Sequence, residues 1–308
     1  MDYSYTTYFA EIYDEVMENV PYKYWFRYLN DLLKYYNHRP ESVLELASGT
    51  SNMTLKFINS KSVNKITALD LSSAMISKAV EKLESKVAQN SELEFKSYNN
   101  EEKNYLLKNS GRQLDINFTA QNMADFQLDN SFDLIVSFFD SLNYLTDIKQ
   151  LEKTFNNAAA YLNQDGLFIF DMNSIGRIKT IEENSYVIEG DNYECFWEDT
   201  VKAKENLWQV QLKICPANDQ LPCFEETHSE RGYKIKTILR LLKNSGFEAV
   251  DVYNAFSFAG GKNNSRRLYF AAALNKERLN NNRGRLKKLL YSLKNRIDYF
   301  LVGLKYYF

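Results

Sequence analysis

The chain has 308 residues, a formal net charge of -2, three cysteines (Cys195, Cys215, Cys223) and two histidines (His38, His228). That length allows a full buried core, with one enlarged domain or a domain plus an insertion favoured over two equal halves, and the near-neutral charge offers no global attraction to nucleic acid or anionic membrane. With no CxxC pair and so few histidines, neither a disulfide framework nor a metal site is expected.

The start, MDYSYTTYFAEIYDE, carries acids early and no unbroken apolar stretch, so a secretory signal is excluded and the cytoplasm is the expected location. Residues 5–37 place Phe9, Ile12, Tyr13 and Met17, then Trp25, Tyr28, Leu29 and Leu32, at helical spacing, which predicts two helices broken at Val20-Pro21. A short buried strand is predicted over 42–46, a helix over 52–59 and a second strand over 65–70. Ser72-Ser73 then cap a helix to about Val87. Residues 90–114 are rich in Asn, Glu, Lys and Ser without clear periodicity, and read as a surface insertion. Strands follow at 115–120, 132–138 and 166–172, with a helix over 147–162 before the last. Strands alternating with helices predict a parallel, doubly wound sheet with right-handed crossovers.

From Tyr186 to about Arg231 the pattern changes to Tyr, Val, Trp, Phe and Thr runs broken by polar turns, an antiparallel meander. A helix over 235–244 ends at Gly246, and strands at 248–256 and 267–274, with no helix between them, should pair as an antiparallel hairpin. The expected organisation is thus an N-terminal helical layer (1–40), a core (41–185 and 232–275), an antiparallel lid insertion (186–231) and a C-terminal extension (276–308). From Lys276 to Arg296 that extension places eight Lys and Arg residues among leucines and aromatics at helical spacing. Such a basic amphipathic helix suits an anionic membrane surface, a partner protein or packing on its own domain, while Lys294, Arg296 and Asp298 exclude a membrane span.

The chemistry concentrates in Glu45-Leu-Ala-Ser-Gly-Thr-Ser-Asn52 and in Asp70 at the end of the second strand. A dinucleotide site wants G-x-G-x-x-G, whereas Gly49 is the one glycine here, and a strand-end carboxylate would repel a pyrophosphate but suit a cationic amino acid moiety. Asp70 is placed to accept hydrogen bonds from two ribose hydroxyls.

These residues resemble the class I S-adenosylmethionine-dependent methyltransferases, whose pattern after strand one is [DE]-[LIV]-[AG]-[CS]-G-[TS]-G-x. Tyr8-Phe-Ala-Glu-Ile-Tyr-Asp14, Pro21-Tyr-Lys-Tyr-Trp25, Gln121-Asn-Met123, Phe132 to Tyr144, Gly166 to Asp171 and Glu230-Arg-Gly-Tyr233 resemble further blocks of its small-molecule and YqeM-like bacterial members. The resemblance covers about 5–274 and implies an α/β fold with a mostly parallel seven-stranded sheet of order 3-2-1-4-5-7-6. It implies S-adenosylmethionine as cofactor, S-adenosylhomocysteine as product, and methyl transfer to nitrogen or oxygen of a small molecule.

Carried over residue by residue, Glu45 faces the methionine end, Ala47 and Gly49 allow close backbone approach, and Asp70 holds the ribose. Leu71 packs on the adenine, Asn122 and Met123 meet its edge, and Phe138 and Asp140 lie under the methionine, with Tyr13 and Trp25 closing the site. Ser51 stands where the family has glycine, so its Cβ must fit beside the cofactor or sit at an unfavourable φ. Asn122 replaces the common acid, and its carbonyl can still accept from the adenine amine.

Methyl transfer from a sulfonium is an in-line displacement that chiefly needs alignment and exclusion of water, though a hydroxyl acceptor benefits from a base. His228 in the meander is the candidate imidazole base and Tyr13 a second candidate catalytic group. Asn143, Tyr144, Arg231 and Tyr233 are candidates for acceptor binding. Nucleic-acid acceptors are disfavoured, because no cysteine lies near strand four and Asp140-Ser-Leu-Asn143 stands where an amino-base methyltransferase would carry Asp/Asn-Pro-Pro-Tyr/Phe. Two alternatives stay open: a binding or regulatory protein with weak turnover, and an RNA methyltransferase using the basic tail.

Overall fold

A computed structural model describes residues 7–90, 93–99, 103–109, 112–217, 222–279, 290, 291 and 293. Helix α1 (Thr7–Val16) and helix α2 (Tyr22–Tyr35) are separated at Pro21, which cannot continue a helix as a donor. Strand β1 (Ser42–Leu46) leads through the small-residue turn to a 3-10 helix over Thr54–Asn59, then β2 (Lys65–Asp70). Helix α3 (Ser73–Ala88) starts where the Ser72 side chain accepts from the Met75 amide. The stretch expected to be a surface insertion is instead a β-hairpin, β3 (Leu93–Asn99) and β4 (Asn104–Asn109), antiparallel to β5 (Arg112–Ala120). Next come β6 (Phe132–Ser137), helix α4 (Ile148–Tyr161) and β7 (Leu162–Asn173).

The main sheet has nine strands. Its centre is parallel: β1 pairs with β2 and β6, β2 with β5, and β6 with β7. After the short helix α5 (Ile175–Lys179), the lid strands β8 (Ser185–Glu189), β9 (Tyr193–Lys202), β10 (Leu207–Pro216) and β11 (Phe224–Arg231) form a separate antiparallel sheet. Helix α6 (Ile235–Asn244) precedes β12 (Ala249–Asn254) and β13 (Arg267–Ala273), and β13 enters antiparallel beside β7. The seven strands of the expected core keep their expected order; the β3–β4 hairpin extends the sheet to nine.

Burial on both faces explains the near-continuous apolar strands. Val43, Ile66, Ala68, Val136 and Ile169 face Tyr28, Leu29 and Leu32 of α2 and Ile76, Ala79 and Leu83 of α3. Leu44, Leu46, Ile135, Phe168 and Phe170 face Leu151 and Phe155 of α4 and Ile238 and Leu242 of α6. A third cluster joins Phe9 and Ile12 of α1, Met75 of α3 and Cys195, Val210, Leu212 and Ile214 of the lid. Helix α1 therefore lies between the lid sheet and α3, above the ends of β1 and β2.

The structure corrects one reading of the cysteines: Cys215 and Cys223 form a disulfide across the β10–β11 hairpin, leaving buried Cys195 free. The expected C-terminal helix falls almost wholly outside the described residues, although Tyr291 packs its ring 5.3 Å from that of Phe258. Among the described residues no helix is long and apolar enough to cross a membrane.

Candidate functional site

The first turn beyond β1 is set by three alternate residues in the left-handed region: Ala47 (φ 53), Gly49 (φ 54) and Ser51 (φ 63). This backbone turns the chain tightly over the end of the sheet and directs the Gly49 amide to Asp70 Oδ2 at 2.7 Å. The Ser72 amide donates to Asp70 Oδ1 at 2.8 Å, so one carboxylate ties the ends of both β1 and β2 together. Burial raises the Asp70 pKa, and these backbone donors pull it back. A Cβ built on Gly49 meets nothing within 4 Å, so the space beside it is open for a ligand.

A cavity of about 330 Å3 opens over this turn, within the range of small-ligand sites. Glu45, Ala47, Gly49, Asp70, Leu71, Asn122, Met123, Phe138, Tyr13 and Tyr144 all reach its wall. Among the described residues its wall carries two carboxylates, Glu45 and Asp70, and no lysine or arginine. Glu45, which accepts from the Thr54 hydroxyl, is pushed up to about 8, chiefly by burial and further by the Asp70 charge. A buried carboxyl held partly neutral beside a second acid is a ready partner for a ligand cation.

Helix α1 is fastened over the turn by one network. Asp14 accepts from the Thr50 hydroxyl at 2.7 Å and the Asn52 amide at 2.8 Å, and Lys82 of α3 reaches Asp14 at 2.5 Å. That network brings Tyr13 to the cavity wall. Tyr22 lines it too, its pKa pushed up to about 12 by burial, and it stands against Phe139 at 4.9 Å between ring centroids.

Several expected site residues are not on the cavity wall. Trp25 is buried behind it, stacked on Phe139 at 4.1 Å, with the Arg267 guanidinium 5.0 Å from the centroid of the Trp25 ring. Asp140 turns away from the cavity because Phe139 (φ 59) and Asp140 (φ 54) are both left-handed, held by Asp171, which accepts from their two amides at 2.8 and 3.1 Å. Its carboxylate instead accepts from Asn173 and pairs with Arg267 at 3.1 Å. Asn143 is fully buried and donates to the Asn173 and Arg231 carbonyls, Arg231 donates to the Thr146 carbonyl at 2.6 Å, and Tyr233 donates to the Leu145 carbonyl. All three spend their polar groups bracing the lid on the core. His228 is buried behind Tyr144 rather than on the wall.

Asn122 uses its side-chain oxygen on the Ala124 amide at 2.9 Å, which holds the Met123 turn at the wall. The residues that sequence reasoning missed are Asp14, Tyr22, Thr50, Asn52, Thr54, Lys82 and Phe139; five of them lie inside quoted motifs and Thr54 just beyond one, while Lys82 reaches the site from a helix with no motif.

Ser51 does adopt the unfavourable φ, but it is absent from the cavity wall, and its buried hydroxyl has no hydrogen-bond partner among the described residues. Its Cβ therefore leaves the ligand space open. A non-glycine residue in this region costs about 1–2 kcal/mol, so Ser51→Gly is expected to stabilise the chain by about 1 kcal/mol. Thermal melting should register a rise of roughly 2–4 °C; a fall would show that the left-handed turn carries no strain.

Residues 16–252 match the family model described as a methyltransferase domain. The protein YqeM of Bacillus subtilis (strain 168) is 25% identical over 273 residues, which is 87% of this chain and 96% of YqeM. A crystal structure of an S-adenosylmethionine-dependent methyltransferase from Clostridium acetobutylicum ATCC 824 is 25% identical with a TM-score of 0.68, covering 87% of this chain and 98% of that one. The sugar N-methyltransferase KedS8 from Streptoalloteichus sp ATCC 53650, at 16% identity and a TM-score of 0.62, covers 85% of this chain and 91% of its own and shares the fold.

Proposed function

We propose, from the premise that this chain belongs to the class I S-adenosylmethionine-dependent methyltransferases, that it transfers a methyl group to nitrogen or oxygen of a small, non-anionic acceptor. The observation that carries this reading is the cavity wall of Glu45 and Asp70, with no lysine or arginine among its described residues. Such a wall suits a cofactor with a sulfonium and an ammonium, and an acceptor that is neutral or cationic. A phosphate, a carboxylate or a nucleic-acid backbone would meet two acids and no counter-charge.

The bound cofactor supplies an electrophilic methyl on a good leaving group. The chain's own residues do the rest. Asp70 accepts from the ribose, Leu71 and Met123 cover the adenine, and the open backbone at Ala47 and Gly49 allows close approach. Glu45 offsets positive charge at the methionine end. Phe138, Phe139, Tyr13, Tyr22 and Tyr144 enclose the acceptor side and exclude water, so that most of the rate advantage comes from alignment. Helix α1, fastened through Asp14, is the wall that has to yield for ligands to enter.

Melting the protein with S-adenosylmethionine or S-adenosylhomocysteine at about 100 times the dissociation constant should add about 2.7 kcal/mol, a rise of roughly 5–10 °C. Labelled donor incubated with the protein and a metabolite extract should then mark a small amine or hydroxyl compound. Label on RNA alone would sink the small-molecule reading, and no shift at millimolar ligand would sink the cofactor assignment.

A further inference from the structure

Behind Tyr144 lies a buried pair that cofactor binding leaves unused. Strand alternation turns Glu226 and His228 of β11 to one face, inward, while Thr227 between them and Ser229 beyond them face the other way. His228 Nδ1 is 3.4 Å from the Tyr144 hydroxyl, with the two rings at 85° to one another, and His228 Nε2 is 3.3 Å from Glu226 Oε2. The Phe9 ring of α1 closes another side of the imidazole at 5.6 Å. The side chains of His228 and Glu226 are 6% and 0% exposed. Burying a carboxylate and an imidazole is costly unless they serve one another, and apolar residues would have packed this face more cheaply.

We infer that Tyr144, His228 and Glu226 form a proton relay from the acceptor end of the cavity into the lid, in which Tyr144 touches the acceptor while His228 and Glu226 are positioning residues acting through it. The inference rests on the methyltransferase reading. As the acceptor nitrogen or oxygen gains its methyl group it gives up one proton. That proton goes to the Tyr144 oxygen, and the phenolic hydrogen already there goes to His228 Nδ1. The ring then carries hydrogens on both nitrogens, and the Glu226 carboxylate beside Nε2 offsets its charge. One acceptor–hydrogen bond is lost, one N–H bond is gained, the phenol is restored, and no electrons change hands. After the product leaves, the same proton returns through Tyr144 to solvent in the emptied cavity. The Tyr144 phenol and the Phe9 ring also stand against the imidazole, and Glu226 supplies the carboxylate beside it.

The tautomer tests this directly, because a chain with two histidines gives two pairs of ring signals in nitrogen-15 spectra, and His228→Asn identifies one pair by its loss. In the neutral ring the proton is expected on Nε2, with Nδ1 bare, and Tyr144→Phe should shift the Nδ1 signal. A proton on Nδ1 would overturn the relay, since the ring could then only donate to Tyr144. In kinetics, with the label-accepting fraction of a metabolite extract as probe, His228→Asn and Tyr144→Phe should each lower the transfer rate by about 100-fold, the lower bound for positioned acid–base groups. Both should bind S-adenosylhomocysteine within about twofold of the parent by calorimetry. Glu226→Gln, which keeps the shape but removes the charge beside Nε2, should lower the transfer rate as well. Unchanged rates in all three variants of a parent that does transfer label would overturn the relay alone. A parent that binds the cofactor yet labels no fraction would overturn the methyltransferase reading, and the relay with it.

Discussion

Replacing Asp70 with asparagine is expected to weaken binding of S-adenosylhomocysteine by at least about 100-fold, or about 2.8 kcal/mol at 1.4 kcal/mol per decade. Asp70 already accepts from the Gly49 amide with one oxygen and from the Ser72 amide with the other. An ionised carboxylate has about four acceptor sites, so capacity remains for two ribose hydroxyls. Hydrogen bonds to a charged group are each worth about 1.5–3 kcal/mol, and the asparagine loses the charge that strengthens all of them. Its NH2 would also face a backbone donor, either at Gly49 or at Ser72, so the turn itself is perturbed. Calorimetric titration measures the affinity and ligand-free melting measures the turn. An affinity within threefold of the parent would mean that the ribose lies elsewhere, whatever the melting temperature does.

Asp70 and Glu45 were legible because their positions follow from the sheet. A strand buried on both faces is apolar throughout, so a carboxylate at its end stands out, and the parallel pairing of β1 with β2 brings two such ends together. The hairpin β3–β4 was not legible, because its sequence is polar and its strand character comes from pairing with the edge of β5. Tyr22 and Trp25 show a second limit. Three residues apart, they share a helix face, so periodicity selects both but cannot say that Tyr22 reaches the cavity while Trp25 supports Phe139 from behind. Asn143, Arg231 and Tyr233 show a third. A polar residue inside a motif reads alike whether it meets a ligand or a carbonyl, and these three meet backbone carbonyls that only the folded lid brings near. The Cys215–Cys223 pair was hidden by an odd cysteine count, which spacing alone could not divide.

The affinity for S-adenosylmethionine is expected to rise with pH between about 6 and 8, and Glu45 is the reason. In the ligand-free chain its pKa stands near 8, raised mainly by burial, so at pH 6–7 the group is largely protonated. A bound ammonium or sulfonium favours the carboxylate and lowers that pKa, so binding in this window releases a proton. Linkage then increases the association constant by up to tenfold per pH unit, about 50-fold over the two units if the bound carboxyl stays ionised throughout. Above about 8 this gain stops, and the affinity falls as the ligand's own α-amino group, with a model value near 7.7–8.0, loses its charge. The sign for folding is opposite. A carboxyl whose folded pKa is raised stabilises the fold below its unfolded value, and that contribution is lost as pH climbs from about 4.5 to 8. Glu45→Gln should therefore melt higher than the parent at pH 8 by more than about 1.4 kcal/mol, the worth of one pKa unit, while binding the cofactor weakly and without the rising limb. Calorimetry in two buffers of different ionisation enthalpy counts the proton: close to one released at pH 6.5 by the parent, none by the variant. Equal proton release from both would place the titrating group elsewhere and remove Glu45 from the cation's site.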